Sequence, residues 1–174
     1  EIVGVSDKNK EARLKYSRLF NCKAYDDWKL LLDRCQVDAA FVFGEHVEMP
    51  KIGQTLIHKN IPFSIEKPAG VGATDVHKLA QLADKHGVLV SVPLVQRFGP
   101  LYSLLEYLTR EEGACFSTSA WRFNAGPPSR YKNIDCGWML DPQSSGGGCL
   151  INLAPHFIDL ALKFLPNNPD TVFA

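Results

Sequence analysis

The sequence predicts an α/β protein built on a parallel, doubly wound sheet, and three observations carry that prediction. Short apolar or β-branched runs alternate with longer segments of helical spacing. The links between successive runs are too long for tight hairpins and long enough for crossover helices. The triplet Glu66-Lys67-Pro68 directly follows one of the apolar runs and puts a lysine at the carboxyl end of a strand, where such sheets present their chemistry.

Each element follows from its own residues. Ile2, Val3 and Val5 form a first strand closed by Ser6-Asp7, and Ala12, Tyr16, Leu19 and Phe20 give residues 10–20 helical spacing. Asp26 or Asp27 caps a second helix carrying Trp28, Leu31 and Leu32, after which residues 38–43 read as a fully buried strand. A helix from about Val47 turns Ile52, Leu56 and Ile57 inward and ends at Asn60, a residue that tolerates left-handed geometry. The strand 61–65 precedes Glu66; a helix starting near Thr74 or Asp75 is stopped by Gly87, and the strand 88–92 follows. After Pro93 the pattern changes. Residues 98–109 form a helix, 115–123 alternate like a strand, 124–137 form a loop containing glycine and proline, and 170–174 begin another strand. A domain transition is expected between residues 93 and 113.

Composition narrows the function classes. The 174 residues are 45% hydrophobic, enough for a core, and carry no net charge, so neither nucleic acid nor an anionic membrane is the expected partner. No apolar run approaches the roughly 20 residues of a membrane span. Cys22, Cys35, Cys115, Cys136 and Cys149 include no C-x-x-C pair, which argues against a disulfide framework or a metal site and for a reducing, cytoplasmic setting. The chain opens on a strand without an initiator methionine and closes on an unpartnered one, so sequence is expected on both sides.

Two segments carry the candidate chemistry. Pro68 biases Lys67 towards an extended backbone and Glu66 balances or orients its ammonium; the bland alternative is a solvated lysine after a strand. Downstream, Gly146-Gly147-Gly148 leads into an apolar helix on which Asn152, His156, Asp159 and Lys163 form one polar stripe. The bland alternative there is a core histidine satisfied by Asn152 or Asp159. Pro155 cannot donate an intrahelical hydrogen bond, so regular helix is expected to start at it, with Asn152 in the preceding turn. Asp7, at the carboxyl end of the first strand, stands where an acid would hydrogen-bond the adenine ribose and favour NAD over NADP; it also suits a turn aspartate. The G-x-G-x-x-G phosphate loop is not found in these residues.

Glu66-Lys67-Pro68, Arg97-Phe98 with Pro100, Trp138 with Asp141-Pro142, and the run from Gly146 to Asp159 together resemble the glucose-fructose oxidoreductase, inositol dehydrogenase and rhizopine catabolism protein family of NAD(P)-dependent oxidoreductases. The segments correspond in order to that family's E-K-P, R-F, W-x-x-D-P and G-G-G-x-L-x-D-x-G-x-H-x-x-D motifs. The resemblance implies a dinucleotide-binding Rossmann domain over residues 1–93, lacking its first strand, and the start of an α/β domain with a mostly antiparallel sheet over 94–174. It implies cofactor contacts at Asp7, Glu66, Lys67 and Pro68, with Lys67, Asn152 and His156 as the reacting cluster and His156 as acid/base. Arg97, Trp121, Arg122 and Trp138 join Asn152 and His156 as candidates for the substrate wall. The implied reaction moves hydride between NAD(P) and a secondary hydroxyl of a sugar, cyclitol or related polyol, in a homo-oligomer when full length.

The sequence departs from the pattern at Asn152, where the family has aspartate, and at Ala154, Met139 and Val95; the T-P near residues 41–44 is also missing. An amide supplies no charge to stabilise imidazolium. The competing reading is therefore a binding or regulatory protein that holds a nucleotide or sugar on the same fold without turning it over.

Overall fold

The structure, a computed structural model, describes residues 1–124, 126–167 and 169–172. The chain forms two compact units, Glu1–Ala40 and Phe41–Ala174.

The first unit holds β1 (Gly4–Ser6), α1 (Lys10–Phe20), β2 (Lys23–Tyr25) and α2 (Trp28–Arg34). Asn9 Oδ1 accepts the Glu11 and Ala12 amides at the start of α1, and Asp27 accepts the Lys29 amide at the start of α2, satisfying donors a helix leaves orphaned. β1 and β2 are parallel, with Val5 opposite Ala24. Sequence reasoning missed β2: three residues are too few for a period of two to show, and only the neighbouring strand makes them a strand.

The second unit begins in β3 (Ala40–Val42) and continues through α3 (Met49–His58), β4 (Phe63–Ile65), α4 (Ala73–His86) and β5 (Val90–Ser91), with sheet order β3-β4-β5. β4 and β5 are parallel, Phe63 opposite Val90. Val42, Met49, Leu56, Ile57, Phe63, Ile65, Leu79 and Ala83 are buried and form the core under α3 and α4. Asn60 and Gly87 both adopt positive φ, 56° and 65°, where the two helices end. The expectation of a fully buried third strand is corrected. Val42 is 4% exposed, but Phe41 and Phe43 on the other face are 73% and 68% exposed, because alternate side chains point to opposite faces and only one face meets the core.

Beyond β5 come a 3-10 turn (Val95–Phe98), α5 (Pro100–Arg110), α6 (Ser129–Asn133), a second 3-10 turn (Gly137–Leu140), α7 (Pro142–Ser145) and α8 (Cys149–Phe164). α5 packs on α8, with Tyr102 edge-on to Phe164 at 5.3 Å. Residues 115–123 form no ladder among the described residues, and no antiparallel sheet is described over 94–172. A strand requires a neighbour to take its hydrogen bonds. The alternation instead sets Trp121 and Phe123 on Phe157, at 4.7 and 5.4 Å between ring centroids. Of the strand expected over 170–174, residues 170–172 form none, and Phe173 and Ala174 lie outside the described residues. No described helix is long and apolar enough to cross a membrane.

Candidate active site

The lysine arm is built from the end of β4. Ile65 is fully buried, and the Glu66 amide donates to Val42 O at 3.0 Å, so the backbone is anchored to β3 one residue before Lys67. The Lys67–Pro68 bond is cis, and Ala69 and Gly70 return to the interior. Lys67 is left half-buried, its Nζ donating to Asn152 O at 2.6 Å and to Asn152 Oδ1 at 3.1 Å. Burial lowers the lysine pKa, and the nearby Glu66 carboxylate opposes that shift.

The loop ahead of α8 is closed by a chain of short-range bonds. Asp141 accepts the Gln143 and Ser144 amides at 3.2 and 3.1 Å, and its carboxyl is held below the usual range chiefly by the Ser144 hydroxyl. Buried Ser145 has its Oγ 2.8 Å from Asp141 O and 2.7 Å from Gly147 O. Gly146 lies at φ +81°, and a Cβ there would come within 3.1 Å of the Val71 backbone and side chain. Only glycine lets this loop touch the loop that follows Lys67.

His46, after β3, ties into the same loop. It is 3% exposed, its Nδ1–H donates to Ser145 O at 2.7 Å, and its ring meets Trp138 edge-on at 4.9 Å. Burial pushes its pKa down, the Ser145 bond opposes that, and Lys67 adds to the lowering. Sequence reasoning missed His46 and Ser145. The signal for His46 was present, since the rule that marks the residue after β4 applies equally to the loop after β3.

α8 runs unbroken from Cys149, with Pro155 inside it, which corrects the expectation that Asn152 precedes the regular helix. A proline in the seventh helical position removes one hydrogen bond and crowds the carbonyls of the turn before it. Lys67 meets the carbonyl of Asn152 in that turn. Along the stripe, Asp159 takes the Nε and Nη2 donors of Arg97 as a two-point pair, raising the guanidinium pKa further. Asn152 is held by Lys67, and Asp159 by Arg97. Between them, His156 Nδ1 is buried without a hydrogen-bond partner among the described residues. Neither Asn152 nor Asp159 satisfies it, so the core-histidine alternative does not describe this ring. Burial lowers its pKa first and Lys67 second, with Glu66 and Asp159 opposing.

The structure thus gathers Lys67, Asn152 and His156. Trp138 meets His46, Trp121 sits on Phe157, Arg97 is engaged by Asp159, and Arg122 is exposed. Pro68 and Glu66 flank Lys67 in the chain. Asp7, in the first unit, is exposed and takes the Asn9 amide on Oδ1 at 2.7 Å, the turn geometry its sequence position allowed.

Residues 1–94 match the sequence model of a family described as an oxidoreductase family with an NAD-binding Rossmann fold. No curated protein is significantly similar in sequence. Among solved structures, the chain is similar to the WlbA dehydrogenase from Bordetella pertussis in complex with NADH and UDP-GlcNAcA, at 20% identity and a TM-score of 0.81, over 94% of this chain and 47% of that one. It is similar to myo-inositol 2-dehydrogenase from Lactobacillus plantarum at 17% identity and a TM-score of 0.80, over 97% and 50%. A levoglucosan dehydrogenase in complex with NADH and levoglucosan gives 19% and 0.75, over 94% and 44%. The chain spans about half the length of these structures or less.

Proposed function

The chain belongs to the oxidoreductase family with an NAD-binding Rossmann fold, and from that premise we propose that its Lys67–Asn152–His156 cluster oxidises or reduces a secondary hydroxyl or carbonyl of a sugar, cyclitol or related polyol. The observation that carries this reading is the placement of His156, its Nδ1 without a partner among the described residues, one helical turn from the residue that binds Lys67; burial and the nearby lysine lower its pKa. The sugar- and inositol-related names of the similar structures support the substrate class.

The described residues fit a nicotinamide dinucleotide in their chemistry. Lys67 is a donor at the carboxyl end of β4, flanked by Glu66 and Pro68. Gly44, just after β3, has open space where a Cβ would stand, leaving its backbone approachable. Asp7 keeps an exposed carboxylate for a ribose diol and on that ground favours NAD over NADP. When bound, the cofactor supplies the acceptor for the hydride leaving the carbinol carbon. The chain's own residues handle the proton and the oxygen. Neutral His156 takes the hydroxyl proton as the carbonyl forms, and Lys67 donates a hydrogen bond to the oxygen while it bears negative character.

Because the His156 pKa is lowered, the base form prevails at neutral pH, and oxidation slows as pH falls through that lowered value. Lys67, also lowered, loses its donor charge as pH rises, so the rate passes through a maximum. A second reading, a protein that binds cofactor and sugar without turnover, is favoured by one observation: Asn152 serves Lys67 and leaves His156 without a carboxylate. Mixing the protein with NAD and NADP over a panel of polyols separates the two. Growth of the reduced-nicotinamide absorbance supports the enzyme, and cofactor binding with no turnover on any member would sink it.

A further inference from the structure

We infer that the substrate of this site carries a carboxylate close to the hydroxyl that reacts, and that Asn152 selects for it. This rests on the oxidoreductase reading above and names its substrate class more narrowly, as a sugar acid.

The argument starts from an unbalanced set of hydrogen-bonding groups. An ammonium only donates, so the Asn152 side-chain atom 3.1 Å from Lys67 Nζ is the amide oxygen, as assigned. That orientation directs both N–H groups of the Asn152 amide away from Lys67, and no described residue accepts from them. Lys67 has used two of its three donors, both on oxygens of an uncharged residue. His156 Nδ1 is buried and unpartnered. The carboxylate sharing the helical stripe with it, Asp159, is already held by Arg97. The cluster therefore offers free donors from Lys67 and Asn152 and one positive charge, with no described carboxylate hydrogen-bonded to either.

A ligand that completes this cluster has to bring acceptors and one negative charge. A neutral polyol hydroxyl accepts through its lone pairs but leaves the half-buried ammonium with no carboxylate hydrogen-bonded to it, Glu66 acting on it only through space, and a charge so incompletely paired is costly. A carboxylate is planar, carries a single charge, and takes donors on both oxygens. It supplies from the ligand the charge that an aspartate at position 152 would supply from the protein. Asn152 and His156 are four apart on a helix, about 5–6 Å between Cβ atoms. A carboxylate on the Asn152 amide then stands within a few bonds of a hydroxyl presented to His156. In the step itself the carboxylate would be unchanged: a bound nicotinamide would supply the acceptor for the hydride, and His156 would take the O–H proton as the alcohol becomes a ketone.

The test has a kinetic arm and a binding arm. For the protein supplied with NAD(P), kcat/KM on aldonates and uronates should exceed that on the matching neutral alditols and glycosides by at least about tenfold, and Asn152→Asp should reverse the order. Without cofactor, NMR titration of His156 should show its midpoint move up when gluconate or glucuronate is added, and stay in place with sorbitol. Lys67, Glu66 and Asp159 face that ring electrostatically, and none of them differs between the two additions. Higher kcat/KM on neutral polyols or on sugar phosphates than on the acids would overturn the inference, as would Asn152→Asp changing both classes equally. Failure of the oxidoreductase reading looks different, with no turnover of any substrate. In that case the His156 titration decides alone, and an unmoved midpoint with the acids rejects the carboxylate.

Discussion

Helix α8 is held at two points by two cations, and the two are built differently. Arg97 reaches Asp159 with a two-point charged pair whose arginine side is 49% exposed. Lys67 reaches Asn152 at a half-buried position and meets only neutral oxygens. The first contact is charge-balanced and close to solvent, so it orients the helix and is worth little. The second gives the charge no carboxylate to bond, with Glu66 acting only through space, beside a half-buried histidine whose Nδ1 is buried, an arrangement that adds little to stability and much to chemistry.

Breaking the second contact should have the largest effect. Lys67→Met is expected to lower turnover by about 10²-fold or more while shifting unfolding free energy by no more than about 1–2 kcal/mol, because removing a poorly compensated buried charge is often near neutral. Parallel kinetics and urea titration check this; a collapse of stability matching the loss of rate would make Lys67 a structural strut.

A middle-sized effect concerns acid. His46 and His156 both have folded pKa values below the ordinary value of about 6.5. As pH falls, the unfolded chain takes up those protons first, so their contribution to stability is complete above about 6.5 and is lost as pH drops towards the folded values. His46→Asn keeps a donor for Ser145 O and removes one titrating group. Its urea midpoint should fall less steeply than wild type between about pH 7 and pH 5, and an unchanged slope would show that His46 does not carry the acid sensitivity.

The smallest effect belongs to the first contact. Arg97→Ala should cost about 1 kcal/mol or less, less again in high salt, with turnover within a few-fold of wild type. A loss of rate rivaling that of Lys67→Met would erase the distinction between the two anchors and return Arg97 to the reacting groups.

Much of the fold was legible because it is local. The α1 spacing, the Asp27 cap, the stops at Asn60 and Gly87, and the polar stripe of α8 all follow from periods and backbone preferences that act within a turn or two. Lys67 and His156 were legible because motif order placed them. β2 was not, being too short to show a pattern, and neither was the exposed face of β3, since the sequence 38–43 reads the same whether one or both sides are covered.

By itself, then, the sequence determined the order of strands and helices and the residue types presented at their ends. The tertiary structure decided who partners whom. Lys67 and Asn152 are 85 positions apart and His46 and Ser145 are 99 apart. No local rule says that the amide at 152 turns to the lysine rather than to the histidine on its own helix face. That choice arises when the loop after β4 packs against Gly146 and brings an ammonium to the carbonyls of α8, where a donor-only group orients the amide and leaves His156 Nδ1 without a partner among the described residues.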